Sequence, residues 1–348
     1  MDAFQFVPFL LVGFAASLGL TPISRVIAIR LGIVDKPNAQ RKIHVQATPL
    51  MGGLAIYAAL VISLVLFSPP QHIVELAAVL SGAGVLAVVG LADDRYNLGI
   101  GVRLVAQTVA ALVLIAAGIH IRLLGVPLFD YALTLLWVVG LTNAMNFIDN
   151  MDGLAAGLAG IAALCFTLLA FNENLSLVSS LAAALAGSAV GFLIYNFNPA
   201  STFMGDMGAL VLGFILAVLG IKLEFGATPL NISWMVPILV LGVPLTDIAL
   251  VVFTRLREGR SPFQGGKDHT SHRLMSMGLN QRQTLYVLYG IAILFSGIAF
   301  LVSTLETNMA FAVGLVGLSS MAALFIFMVW ARGKYQTQIA PQRGITPQ

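Results

Sequence analysis

Long apolar runs alternate with short polar joints along this chain, and that alternation limits what it can fold into. The runs fall near 4–24, 50–67, 73–91, 102–118, 131–147, 153–171, 176–194, 208–222, 233–254, 285–303 and 310–331. A helix needs about 20 apolar residues to cross a bilayer, and in lipid only helices and closed barrels satisfy every backbone group internally. The pattern predicts an all-α polytopic integral membrane protein with about eleven transmembrane helices. Only 9% of the 348 residues are charged, against about 25% in soluble domains. A soluble enzyme is thereby excluded, and no nucleic-acid partner is expected. The first run has no basic flank or small-residue cleavage site, so it reads as a retained span. The one cysteine, Cys165, lies inside an apolar run, which rules out disulfides and cysteine-rich metal sites. Residues 1–331 read as a single transmembrane catalytic domain and 332–348 as a polar cytoplasmic tail.

Orientation follows from the placement of Lys and Arg. With the N-terminus outside, sixteen of the eighteen basic residues fall in one set of joints, and only Arg122 and Lys222 in the other. The crowded face is the cytoplasmic one. On the sparse face, residues 118–130 alternate Ile119, Ile121 and Leu123 against His120 and Arg122 before a Gly-Val-Pro turn, the pattern of a small external hairpin.

The dense polar clusters all fall on the cytoplasmic face: Asp35 to His44, Asp93 to Arg95, Asn146 to Asp152, Asn196 to Asp206 and Arg255 to Arg273. A transporter is expected to hold its ionisable groups nearer the midplane, often in broken helices. Clusters gathered on one surface suit an enzyme whose site opens to the cytosol.

The joint Asn143-Ala-Met-Asn146-Phe-Ile-Asp149-Asn-Met-Asp152-Gly153 holds two carboxylates and three amides between two apolar runs. A carboxylate at such a depth costs about 2.5–3.5 kcal/mol or more unless it meets water, a cation or a partner. Asn146, Asp149 and Asp152 suit hard oxygen ligation of Mg2+ or hydrogen bonds to a nucleobase; turn chemistry is the plainer alternative. Asp93-Asp94, at a helix end, wants a cation or a shared proton, with solvation beside Arg95 as its alternative. Asp206 stands between Gly205 and Gly208 in a stretch that begins at Asn196 and includes Phe203; glycine lets the backbone approach a phosphate closely. In the late loop, His269, His272 and Arg273 lack the further ligands of a zinc site and suit an anion clamp or a solvated basic loop. Lys42 and His44, beside Arg41, admit the same two readings. Asp247 lies inside the ninth run, where a carboxylate is a functional candidate or the partner of a neighbouring helix. Together these groups suit a diphosphate held through Mg2+, with a phosphoryl-linked group passed to a lipid acceptor.

The clusters, in this order, resemble the polyprenyl-phosphate N-acetylhexosamine-1-phosphate transferases, of glycosyltransferase 4 type. They resemble the WecA/TagO branch, sister to the MraY translocase. The resemblance runs from Asp35 to about Tyr289 and rests on Asp35-Lys-Pro-Asn with Arg41-Lys42-Ile-His44, Asp93-Asp94, the Asn143–Gly153 joint, Phe203-Met-Gly-Asp206-Met-Gly and His269-Thr-Ser-His272-Arg273. It implies transfer of a sugar-1-phosphate, with N-acetylglucosamine (GlcNAc) the first choice, from a UDP-N-acetylhexosamine to undecaprenyl phosphate. UMP is released in this first membrane step of envelope glycan synthesis, at the bacterial cytoplasmic membrane. It implies Mg2+ (with Mn2+ as a stand-in) on Asp206 and Asn146. Asp93 would deprotonate or assist the lipid phosphate, with Asp94 in support. Asn146, Asp149, Asp152 and Asn196 would line the uridine pocket, and Phe203 would stack on uracil. Arg103 stands where relatives carry a phosphate-binding Lys, and Lys42, His44, His269, His272 and Arg273 would line the sugar and diphosphate. A homodimer is left open. Ser271 departs from the family, which has a His there. Another UDP-N-acetyl sugar or a muramyl-pentapeptide donor, a transporter and a non-catalytic scaffold are the competing readings.

Overall fold

The computed structural model describes residues 5–35, 48–226, 229–263 and 265–336. The helices, in order, are α1 (Val7–Leu31), α2 (Gly52–Phe67), α3 (Ile73–Tyr96), α4 (Ile100–Ala116), α5 (Pro127–Ile148), α6 (Leu154–Asn172) and α7 (Ser176–Asn196). Then come α8 (Gly205–Lys222), α9 (Leu230–Ser233), α10 (Met235–Val240), α11 (Gly242–Arg257), α12 (Thr270–Ser276), α13 (Gln281–Thr304) and α14 (Thr307–Ala331). Among the described residues, eight helices are long and apolar enough to cross a membrane, and α2 and α4 are shorter apolar helices. The architecture is that of an all-α multi-pass membrane protein.

Two elements depart from the sequence expectation for identifiable reasons. The ninth run is not one helix but three, broken at Trp234 and Leu241. Pro237 and Pro244 each remove a backbone donor and crowd the preceding turn, and each break falls three residues before a proline. Segment 118–126, expected as an external hairpin, forms no hairpin; Asp130, buried at the start of α5, accepts the N–H groups of Leu123 (3.1 Å) and Leu124 (2.8 Å). Thr134 Oγ1 accepts that of Ile121 at 2.9 Å. Side chains thus supply what a partner strand would have supplied. Among the described residues, one strand pair joins β1 (Val34–Asp35) to β2 (Thr48–Pro49), antiparallel, with Val34 opposite Pro49.

The core is built on α6, α7 and α8, the most deeply buried of the long helices. The crossing of α3 over α8 positions the site. A side chain at Gly90 would meet the Met207 backbone at 2.5 Å, so glycine there lets the end of α3 reach the start of α8. The first N–H groups of α2 donate to the Phe203 and Met204 carbonyls, both at 2.9 Å, and so dock the approach to α8 against α2. At the opposite end of the same helices, Lys222 pairs with Glu75 at 2.7 Å.

Candidate active site

Five residues from four helices meet at one end of the bundle. Asp206, in the first turn of α8, receives Asn146 Nδ2 on Oδ1 at 2.6 Å and Arg103 Nη1 on Oδ2 at 3.2 Å. The same Arg103 nitrogen lies 3.0 Å from Asp93 Oδ2. Asp94 accepts the backbone N–H of Asp206 at 2.9 Å and that of Met207 at 3.4 Å. Asp94 is therefore an acceptor for the otherwise unpaired donors that open α8. Gly205 makes this closeness feasible: its φ is +68°, and a Cβ would overlap the Asp94 carboxylate. Asp93 is buried, whereas the Asp206 side chain keeps 30% of its surface open, so Asp206 is the carboxylate most available to a ligand.

Asp149 closes α5 beside this cluster. Burial, then the charges of Asp206 and Asp152, push its carboxyl up to about 7. Four carboxylates (Asp93, Asp94, Asp149 and Asp206) thus crowd a region where Arg103 is the cation in direct contact. Such an excess of negative oxygen suits a divalent cation. Among the described residues no three acidic, imidazole or thiol side chains form a metal cage. A cation held on Asp206 and Asn146 would therefore complete its shell with substrate oxygens and water. That is the habit of Mg2+, which dehydrates reluctantly and favours one or two carboxylates plus phosphates. Asn146 would turn its carbonyl oxygen to the ion, since its amide orientation is set by the hydrogen-bond network.

The rest of the central joint is braced rather than open. Asp152 is buried and accepts Asn198 Nδ2 at 3.1 Å and Ala200 N–H at 3.0 Å. Asn196 is buried with both amide functions engaged, accepting Gly153 N–H at 3.0 Å and donating to the Thr202 carbonyl at 3.0 Å. Tyr289 donates to the Gly153 carbonyl at 2.5 Å. Phe203 is half-buried, its backbone tied to Pro49 and Gly52. Asp152 and Asn196 therefore hold the joint against the 197–204 loop, the nucleotide pocket's expected wall. Their side chains point into protein.

The late loop shows the same division. Arg273 is fully buried and donates to the carbonyls of Asp268 and Met328 and to Thr254 Oγ1, at 2.6 to 2.9 Å. Burial, then the charge of Arg332, lowers its guanidinium to about 10. Its donors are turned inward, unlike those of an anion clamp. His269 is buried against Asp247 at 2.8 Å. His272 is half-buried with no hydrogen-bond partner for Nδ1; burial, then His269, lowers its imidazole to about 4. Ser271, at the position that departs from the family, donates to Asn150 Oδ1 at 2.6 Å. The late loop is thereby pinned to the central joint. Lys42 and His44 lie outside the described residues.

One cluster escaped the sequence reading. Asp268 accepts from Arg255 Nε at 3.0 Å, Arg260 Nη2 at 2.9 Å and Arg332 Nη1 at 2.5 Å. Burial would raise this carboxyl, but the hydrogen bonds from Arg260, Arg332 and Arg255 outweigh it and hold it well below the carboxylate range. Arg332, assigned by sequence to the tail, is part of the folded unit. The only signal was two acids, Glu258 and Asp268, among many arginines.

Comparison with known proteins agrees with this geometry. The pattern of glycosyl transferase family 4 matches residues 76–224. The chain is 37% identical over 295 residues, 82% of each chain, to the probable undecaprenyl-phosphate N-acetylglucosaminyl 1-phosphate transferase of Bacillus subtilis. It is 34% identical to the decaprenyl-phosphate N-acetylglucosaminephosphotransferase of Mycobacterium tuberculosis, over 76% of this chain and 74% of the relative. It is 30% identical to the undecaprenyl-phosphate alpha-N-acetylglucosaminyl 1-phosphate transferase of Salmonella typhi, over 79% and 78%. With the carboxylate cluster, the matched segment and these likenesses over 74–82% of each relative together, the chain belongs to the family of polyprenyl-phosphate N-acetylglucosamine-1-phosphate transferases.

Proposed function

We propose that this protein transfers GlcNAc-1-phosphate from UDP-GlcNAc to undecaprenyl phosphate and releases UMP. The observation that carries the reading is the convergence of Asp93, Asp94, Arg103, Asn146 and Asp206 on one end of the bundle. In the reaction, an oxygen of the acceptor phosphate ends bonded to the sugar-bearing phosphorus, and the diphosphate bridge breaks, leaving its oxygen with UMP. Asp93 takes the acceptor's proton. Arg103, shared by Asp93 and Asp206, keeps the two carboxylates together and offers its remaining donors to phosphate oxygens. Asp206 and Asn146 would hold Mg2+, which would supply neutralisation of the diphosphate charge. Asp149 lies beside the donor's nucleotide, and Phe203 stacks on uracil. We read eleven crossings, with α9 to α11 as one, the N-terminus outside, and the site facing the cytoplasm of a bacterial cell.

The test is Mg2+-dependent release of UMP from UDP-GlcNAc by purified protein given polyprenyl phosphate, with the product lipid identified by mass. Asp206→Ala and Asp93→Asn should each lower turnover by about 100-fold or more, the scale of removing a group that stabilises transition-state charge. Turnover unchanged in both variants would remove the assignment. Product formed only from another UDP-N-acetyl sugar would change the donor, not the chemistry.

A further inference from the structure

Asp247 lies in α11, fully buried and ten residues before the helix ends at Arg257. A carboxylate at such depth is expensive to keep, and the transfer chemistry above makes no use of it. Both its oxygens are engaged, and by different parts of one turn. Oδ2 accepts the Nδ1–H of His269 at 2.8 Å, and Oδ1 accepts the backbone N–H of Thr270 at 2.7 Å. The two donors flank the start of α12. That turn in its turn abuts the central joint at two places. The His269 ring meets Phe147 edge-on, with centroids 6.3 Å apart and planes at 89°, and Ser271 Oγ donates to Asn150 Oδ1 at 2.6 Å. Phe147 and Asn150 bracket Asp149 in sequence.

We propose that Asp247 is a positioning residue for the transfer reaction: by holding His269 and the first turn of α12, it seats the late loop against the Asn146–Gly153 joint and so shapes the sugar-nucleotide side of the site. A carboxylate is needed because two donors require two acceptors. An asparagine offers one oxygen and turns an N–H2 toward the other donor, and an apolar residue leaves both donors buried and unpaired. Among the described residues, the hydrogen bonds of Asp247 run to His269 and Thr270 of the late loop, away from Asp93, Arg103 and Asp206. Its influence should therefore fall on the donor and spare the lipid acceptor.

The inference rests on the transferase reading, and its test separates the two. In detergent-purified full-length protein, Asp247→Ala should raise the KM for UDP-GlcNAc by about tenfold or more and leave that for polyprenyl phosphate within about twofold. In a double-mutant cycle, Asp247→Ala should cost clearly less in kcat/KM once His269→Ala is present than it does alone, because the two share one contact and only the Thr270 N–H bond is left to lose. Hydrogen exchange supplies a readout that needs no activity: amides of 269–276 should exchange about tenfold faster in Asp247→Ala, with those of α13 unchanged. If Asp247→Ala fails to give a monodisperse protein, Asp247→Asn serves, with losses of the same pattern. Additive losses in the cycle, equal effects on both substrates, or unchanged exchange at 269–276 would overturn the positioning role. A wild-type protein that releases no UMP would instead remove the transferase reading, while the exchange result would still decide what Asp247 holds.

Discussion

Asp94 accepts the backbone N–H of Asp206 at 2.9 Å, so the last turn of α3 fixes the first turn of α8 and with it the carboxylate best placed to hold a cation. The second acid of the Asp93-Asp94 pair thus acts on the main chain, whereas the first faces Arg103. In Asp94→Asn the amide oxygen can still accept one N–H, and about a tenth of turnover or more should remain. Asp94→Ala and Gly205→Ala should each lose about 100-fold, the scale of a misplacement near 1 Å. Steady-state kinetics on protein of matched thermal stability checks the order of the three.

Chelation should stop the reaction. With EDTA in excess, UMP release should drop by at least about 100-fold and return on addition of Mg2+, since the crowded carboxylates otherwise repel a diphosphate. A coupled UMP assay measures this directly, and full turnover in EDTA would exclude the Asp206–Asn146 cation site.

Asp268→Asn should destabilise the protein without a specific effect on either substrate. It leaves the buried Arg255 facing a neutral group, while Arg260 and Arg332 keep their pairing with Glu258. Breaking a buried pair costs about 3–5 kcal/mol, and the part-exposed Arg260 and Arg332 reduce this to about 2–3 kcal/mol. Because the folded carboxyl titrates below the ordinary value of 3.8, its contribution is present above that pH and is lost only as pH falls further. Thermal denaturation in detergent from pH 7 to pH 4 should show a constant gap between wild type and variant.

His272 shifts in the same direction and so carries the same sign, but over a pH range nearer neutrality. Its folded imidazole is held down to about 4, against 6.5 for the free group. Below 6.5 the unfolded chain takes up a proton that the folded chain refuses, so stability declines as pH drops toward 4. Solvent screening of this half-buried group limits the loss to about 1–2 kcal/mol. His272→Gln should flatten that part of the pH–Tm curve, and an unchanged slope would place the effect elsewhere.

Asn196→Ala should behave as a structural lesion. It orphans the buried Gly153 N–H and Thr202 carbonyl, at about 1–3 kcal/mol for each unsatisfied group. A Tm lower by several degrees with a nearly unchanged KM for the sugar nucleotide is expected. A large KM change at constant Tm would return Asn196 to the nucleotide pocket.

What sequence alone determined was everything that hydropathy and charge encode locally. Apolar run lengths marked the long helices, and the Lys and Arg bias gave the expectation that the polar clusters share one face. The clusters at Asp93, Asn146 and Asp206 do meet. What only the tertiary structure decided was the division of labour within each cluster. Asp94, Asp152, Asn196 and Arg273 look in sequence like the neighbours that line the carboxylate cluster, yet each is turned onto a backbone group. The partner of Asp94 is 112 residues away, and that of Arg273 at Met328 is 55 away. Composition counts charges one residue at a time, whereas an oxygen's availability depends on which donor a neighbouring helix brings within about 3 Å. For that reason the site's members were legible in the chain, and their roles emerged only once α3, α5, α8 and α11 were packed.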